Sequence, residues 1–131
     1  MRGLDTNVLV RYFTQDDLAQ ARKANALIAD TASKGDHCFI SVIVLCELVW
    51  VLREAYDFDK ETLVTVLDKM LSTAQFHIQE KEMVHRAFAD FRRSSGDFSD
   101  YLIGWQGRQA GCDQTATLDQ GLKKSDLFMV L

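Results

Sequence analysis

The chain has 131 residues, the size of one domain, and its 47% apolar and 26% charged residues are the proportions of a folded protein, not a disordered one. A net charge of −4 sets it apart from proteins that hold nucleic acid by bulk positive charge. Three cysteines without a CxxC pair argue against a disulfide framework or a zinc site and for reduced, buried thiols. Residues 1–4 read as a short strand stopping at Asp5, and residues 7–13 as two helical turns. Across residues 17–32, Leu18, Ala21, Ala24, Leu27 and Ile28 recur at helical spacing, and Gly35 ends the run. Cys38–Ile40 is a second strand, Ser41 a helix cap, and residues 42–56 a helix so apolar that it should be buried almost all round. Lys60–Ser72 and Lys81–Arg93 are amphipathic helices flanking a strand at Phe76–Ile78. After a loop at 94–96 come a helix at 98–110 closed by Gly111, then strands at 114–118 and 127–131 joined through 121–124. Such alternation predicts one α/β domain over residues 1–131, with a parallel sheet between helices. The first residues lack a secretory apolar stretch, and the run 42–52, broken by Glu47, is shorter than the roughly 20 residues of a membrane span; a cytoplasmic protein is expected.

Ligands of open parallel sheets sit beyond the carboxyl ends of the strands, and both Asp5 and Asp119 follow strands there. Glu47 is the single polar residue in the run 42–52, where a buried carboxylate needs a cation, a metal or a hydrogen-bond donor. Asp97 and Asp100, three apart, fall on one face at a helix start. Each of these acids also has a plainer explanation: capping for Asp5, Asp97, Asp100 and Asp119, and an ion pair with Arg53 or a mobile surface position for Glu47. The topology brings Asp5, Glu47, Asp100 and Asp119 toward one end of a sheet. Clustered carboxylates repel unless neutralised, and an all-oxygen site suits Mg²⁺ or Mn²⁺ better than zinc. The expected chemistry is metal-assisted hydrolysis of a phosphodiester.

The segments that carry these acids resemble a known family. Leu4-Asp5-Thr6-Asn7-Val8-Leu9-Val10-Arg11-Tyr12 is similar to the opening of PIN domains, in particular the VapC toxins of toxin–antitoxin pairs. Val44–Leu52 around Glu47, Asp97-Phe98-Ser99-Asp100-Tyr101-Leu102-Ile103, and Ala110-Gly111-Cys112 followed by Thr117-Leu118-Asp119 resemble the next three motifs, in order along the whole chain. The resemblance implies a three-layer α/β/α fold with a central parallel sheet, and an Mg²⁺- or Mn²⁺-dependent endoribonuclease. Carried over, Asp5, Glu47, Asp100 and Asp119 are the metal-site and catalytic carboxylates, and Asp97 supports them. Thr6, Asn7 and Thr117 orient the acids or the metal's water by hydrogen bonds. It further implies an RNA substrate, a homodimer, and a cognate antitoxin that silences the acidic pocket. Leu118 and Gly104 depart from the commoner residues, phenylalanine and alanine, without removing a ligand.

For RNA contacts, Arg11, Arg53, Arg92, Arg93, Arg108, Lys123 and Lys124 are candidates; most are better explained as solvated helix faces, and Arg92 and Arg93 stand out because they precede the loop before Asp97. Tyr12, Trp50, Tyr56 and Trp105 are aromatic enough to stack bases, but their apolar neighbours favour packing roles. A haloacid-dehalogenase-type phosphatase needs an Asp where Asn7 stands, and a phospho-receiver needs a mid-chain Asp paired with a late Lys; neither accounts for Glu47. The alternative from another class is a PIN-fold module without activity that binds RNA or a protein; loss of a metal carboxylate would mark it, and all four are present.

Overall fold

Parallel strands cannot be joined by a tight turn, so each must be followed by a crossover. The computed structural model describes residues 1–131 and shows this first in the unit Met1–Lys81. Strand β1 (Arg2–Gly3) leads into helices α1 (Thr6–Thr14) and α2 (Leu18–Ser33), and β2 (Cys38–Ile40) into α3 (Val42–Glu54) and α4 (Lys60–Ser72), before β3 (Phe76–Ile78). The three strands pair in parallel in the order β1-β2-β3, with Gly3 opposite Phe39 and Ile40 opposite Ile78. Helix α1 packs on α2 and α3, and Leu9, Ile28, Ile40, Leu45, Leu52 and Leu67 are buried in this unit.

Local chemistry fixes the helix ends. Asp17, Ser41 and Asp59 each accept the backbone N–H three residues on, from Gln20, Val44 and Thr62. Each such cap is worth about 1 kcal/mol. Helix α2 ends in a glycine turn: Gly35 has φ +68°, its N–H reaches the Ala32 carbonyl, and the Asp36 N–H reaches that of Thr31.

The unit Glu82–Leu131 holds nearly all of α5 (Lys81–Arg93), then α6 (Phe98–Gln109), β4 (Thr115–Thr117), a single 3-10 turn (Gln120–Leu122) and β5 (Phe128–Val130). Strands β4 and β5 pair in parallel as a second, two-stranded ladder, Thr115 opposite Phe128. Gly104 lets α6 approach β5 closely, since a Cβ there would lie 3.0 Å from the Leu127 Cβ and the Phe128 ring. An alanine there would require Leu127 or Phe128 to give way by a few tenths of an ångström. The α/β class and the parallel pairing expected from the alternation are both present. No helix is long and apolar enough to cross a membrane.

Two expectations need correcting. Helix α3 stops at Glu54, and it is not buried all round: Ile43 is 71% exposed, Trp50 is 63% exposed, and Glu47 between them is exposed too. A run apolar at every position but Glu47 has too little periodic contrast for a buried side to be read from it. The cysteines are likewise not uniformly buried, since Cys38 is, Cys46 is half-buried and Cys112 is exposed.

Candidate metal centre

Asp5 lies two residues beyond β1, and Leu4 beside it donates its N–H to the Phe39 carbonyl at 2.9 Å. The β1–β2 register therefore sets Asp5 level with Ser41, the first residue before α3, at the carboxyl edge of the sheet. Glu47 follows on α3, about 7.5 Å along the axis from its first residue. Asp5 occupies the N-cap position of α1 with extended backbone (φ −81°, ψ 160°), yet its side chain makes no capping hydrogen bond. The plain explanation for this carboxylate is thus unused, and Asp5 is exposed. Thr6 beside it is buried, and its Oγ1 has no hydrogen-bond partner. A buried hydroxyl left unpaired costs about 1–3 kcal/mol, so this one is held there against its own desolvation.

Glu47 is exposed, the surface position of its plainer explanation and not the buried one, so no desolvation demands a counter-ion for it. Asn7 is exposed and, with Val8, Ala24 and Leu27, lines a mainly apolar cavity of about 240 Å³ between α1 and α2. Arg11 points its guanidinium into a local network, donating to Gln20 Oε1 at 2.6 Å, Asp16 Oδ1 at 3.0 Å and the Tyr56 hydroxyl at 2.9 Å. The Tyr56 hydroxyl in turn donates to Asp16 Oδ2 at 2.7 Å. Hydrogen bonds from Tyr56 and then Thr14, with the Arg11 charge, hold the Asp16 carboxyl down to about 2. The sequence gives no periodic sign of this network, because Tyr56 lies forty residues from Asp16.

In residues 82–131 the acids do have structural work. Asp97 and Asp100 form a reciprocal capping box at the start of α6: the Asp97 side chain takes the Asp100 N–H, and Asp100 Oδ2 takes the Asp97 N–H at 2.9 Å. Asp119, at the end of β4, accepts the Gly121 N–H through Oδ1 at 2.8 Å, capping the 3-10 turn. Thr117 Oγ1 accepts the Asp119 backbone N–H at 3.1 Å. The bond from Gly121 engages one oxygen of Asp119, and a carboxylate has a second. Within neither unit do three histidine, cysteine, aspartate or glutamate side chains group as a ready-made ion site. Within residues 1–81 the Asp5 carboxylate left out of the helix cap stands beside the unpaired Thr6 hydroxyl, and oxygen donors of this kind suit a hard divalent cation better than zinc.

Arg92 lies over the Phe88 ring, and Arg93 pairs with Asp90 at 2.8 Å. Trp105, expected to pack, also donates its indole N–H to Asp90 at 2.7 Å while the Arg86 guanidinium lies over its ring. The α5 part of that arrangement is legible as spacing, since Asp90 stands four residues after Arg86 and three before Arg93.

Residues 4–126 match the family described as PIN domain. Over 124 residues the chain is 23% identical to a protein named VapC ribonuclease from Aquifex aeolicus (strain VF5), an alignment covering 95% of this chain and 91% of that protein. The matched span 4–126 contains all four carboxylates of the candidate centre.

Proposed function

The chain belongs to the PIN domain family, and we propose that it is a metal-dependent endoribonuclease, the toxin of a VapBC-type pair, working as a single domain over residues 1–131. The observation that carries the reading is the Asp5–Thr6 junction, where a carboxylate at a helix start declines the cap and the next hydroxyl is buried without a partner. Asp5, Glu47, Asp100 and Asp119 would hold Mg²⁺ or Mn²⁺, with Thr6, Asn7, Asp97 and Thr117 in support. When bound, the ion supplies an activated water and shields charge developing on the phosphodiester. The chain's own share is orientation. The capping box holds the Asp100 carboxylate against the start of α6, and the Thr117 hydroxyl fixes the backbone at Asp119. Arg92 and Arg93 contact RNA phosphates; Arg11, bound to Asp16 and Tyr56, serves the RNA less directly.

A cognate antitoxin and a second copy of the chain are the proposed protein partners, in the cytoplasm. Exposed Ile43 and Trp50 on α3 support a face that a protein covers. The deciding experiment is RNA cleavage by the purified chain in Mg²⁺ or Mn²⁺ and again in EDTA, beside Glu47→Gln. Cutting that needs the ion and is lost in the variant is the expected result. An active, folded Glu47→Gln protein would overturn the site, and EDTA-resistant cutting would overturn the metal dependence.

A further inference from the structure

Charge on α5 runs against the net charge of the chain. Arg86, Arg92 and Arg93 are exposed along this helix, and within residues 82–93 the only exposed acid is Glu82. Arg86 and Arg93, seven residues apart, share one side, about 10.5 Å along the axis. Two of the three guanidiniums are already laid on rings: Arg86 over Trp105 at 5.2 Å from the centroid, Arg92 over Phe88 at 5.5 Å. The Trp105 ring is itself fixed, because Asp90 Oδ2 takes its indole N–H at 2.7 Å while Asp90 Oδ1 pairs with Arg93 at 2.8 Å. A single half-buried carboxylate thus ties the indole and the last arginine together.

We infer that this arginine–aromatic ridge on α5, completed by Trp105, is a binding surface for single-stranded RNA that feeds the Asp97–Asp100 turn. The inference rests on the nuclease reading for its substrate. Guanidinium groups bind phosphate in two-pronged fashion and also stack on bases, so a flat, ring-backed arginine suits a strand that offers both. Ordering the arginines in advance lowers the entropy lost on binding. A plain acidic tract such as polyglutamate would use the charges but has no rings to stack on the guanidinium planes. The chain continues from Arg93 through residues 94–96 directly into the capping box, so a strand held on the ridge is delivered toward a candidate metal carboxylate.

The test is fluorescence anisotropy of a labelled single-stranded RNA oligonucleotide with the full chain in EDTA, where no metal-dependent cleavage intervenes, over a range of salt. Replacing Arg86 and Arg93, the two that share a side of α5, together by alanine is expected to raise Kd at least tenfold. The slope of log K against log salt should become shallower by about 1.4, at about 0.7 per lost phosphate contact. Arg86→Lys, which keeps the charge and perturbs the fold least, should raise Kd while leaving the slope alone. Circular dichroism confirms folding, and Lys23→Ala, a cation outside α5, should bind as wild type. Unchanged Kd and slope in the folded arginine variants would overturn the ridge. So would equal competition by polyglutamate, which marks a general anion surface, or a wild-type chain that binds no RNA. Binding lost in the variants beside a wild type that never cuts in Mg²⁺ would sink the nuclease and support the ridge. Wild-type cutting beside unchanged variant binding would sink the ridge alone.

Discussion

Residues 1–81 and 82–131 each place aspartate at the start of a helix, but the two starts are built differently. Asp97 and Asp100 close a reciprocal box around the first turn of α6, so helix formation by itself explains why acids stand there. Asp5 begins α1 from the same position with extended backbone and caps nothing, and the Thr6 hydroxyl beside it is buried and unpaired. An acid that secures a helix can be kept for stability alone. One that does not, next to a polar group held at a cost, calls for a ligand. The first half therefore leaves a carboxylate and a hydroxyl that local bonding does not use, while in the second half the acids are engaged by the helix start itself.

The sharpest way to break this contrast is activity. Asp5→Ala and Asp100→Ala should each lower RNA cleavage by more than about a hundredfold, beyond the loss that follows removal of an outer-shell partner; steady-state cleavage rates in Mg²⁺ check this. Stability should then separate the two. Thermal melting should show Asp100→Ala destabilised by about 1 kcal/mol, the value of a lost cap, while Asp5→Ala melts as wild type. Equal losses would show that Asp5 carries structural load after all. Thr6→Val removes the unpaired hydroxyl at nearly constant shape and should stabilise the chain by about 1 kcal/mol while impairing cleavage. A destabilised variant would mean the hydroxyl is satisfied in solution.

The smallest effect concerns pH. Asp16, held at about 2 by Tyr56 first and Thr14 next, has a folded pKa below its ordinary 3.8. A depressed carboxylate pKa adds stability above the unfolded value, and that stability is lost as pH falls from about 3.8 through about 2. In Tyr56→Phe the Asp16 pKa should rise toward 3.8 and the pH dependence in that window should flatten, as a carboxyl-detected NMR titration would register. An unmoved Asp16 would show that the Thr14 hydroxyl and the Arg11 charge, not the phenol, hold it down.

Much of the candidate site could be read as residue types in order, from Asp5 to Asp119, because its motifs are short and local. What each acid does in the fold could not. Asp5 and Asp97 precede helices with similar cap signals, and only the folded backbone decides that one side chain turns in to its helix and the other does not. Glu47 shows the same limit: its apolar neighbours suggested burial, and the structure exposes it between Ile43 and Trp50.

By itself the sequence determined the helices and strands nearly to the residue, because periodicity, caps at Asp17, Ser41 and Asp59, and glycine stops at Gly35 and Gly111 act within a few residues of where they stand. Only the tertiary structure decided which side of α3 faces water, how closely α6 approaches β5 at Gly104, and that Asp16, Arg11 and Tyr56 meet. Those outcomes depend on surfaces brought together from distant parts of the chain, where no local pattern specifies the partner.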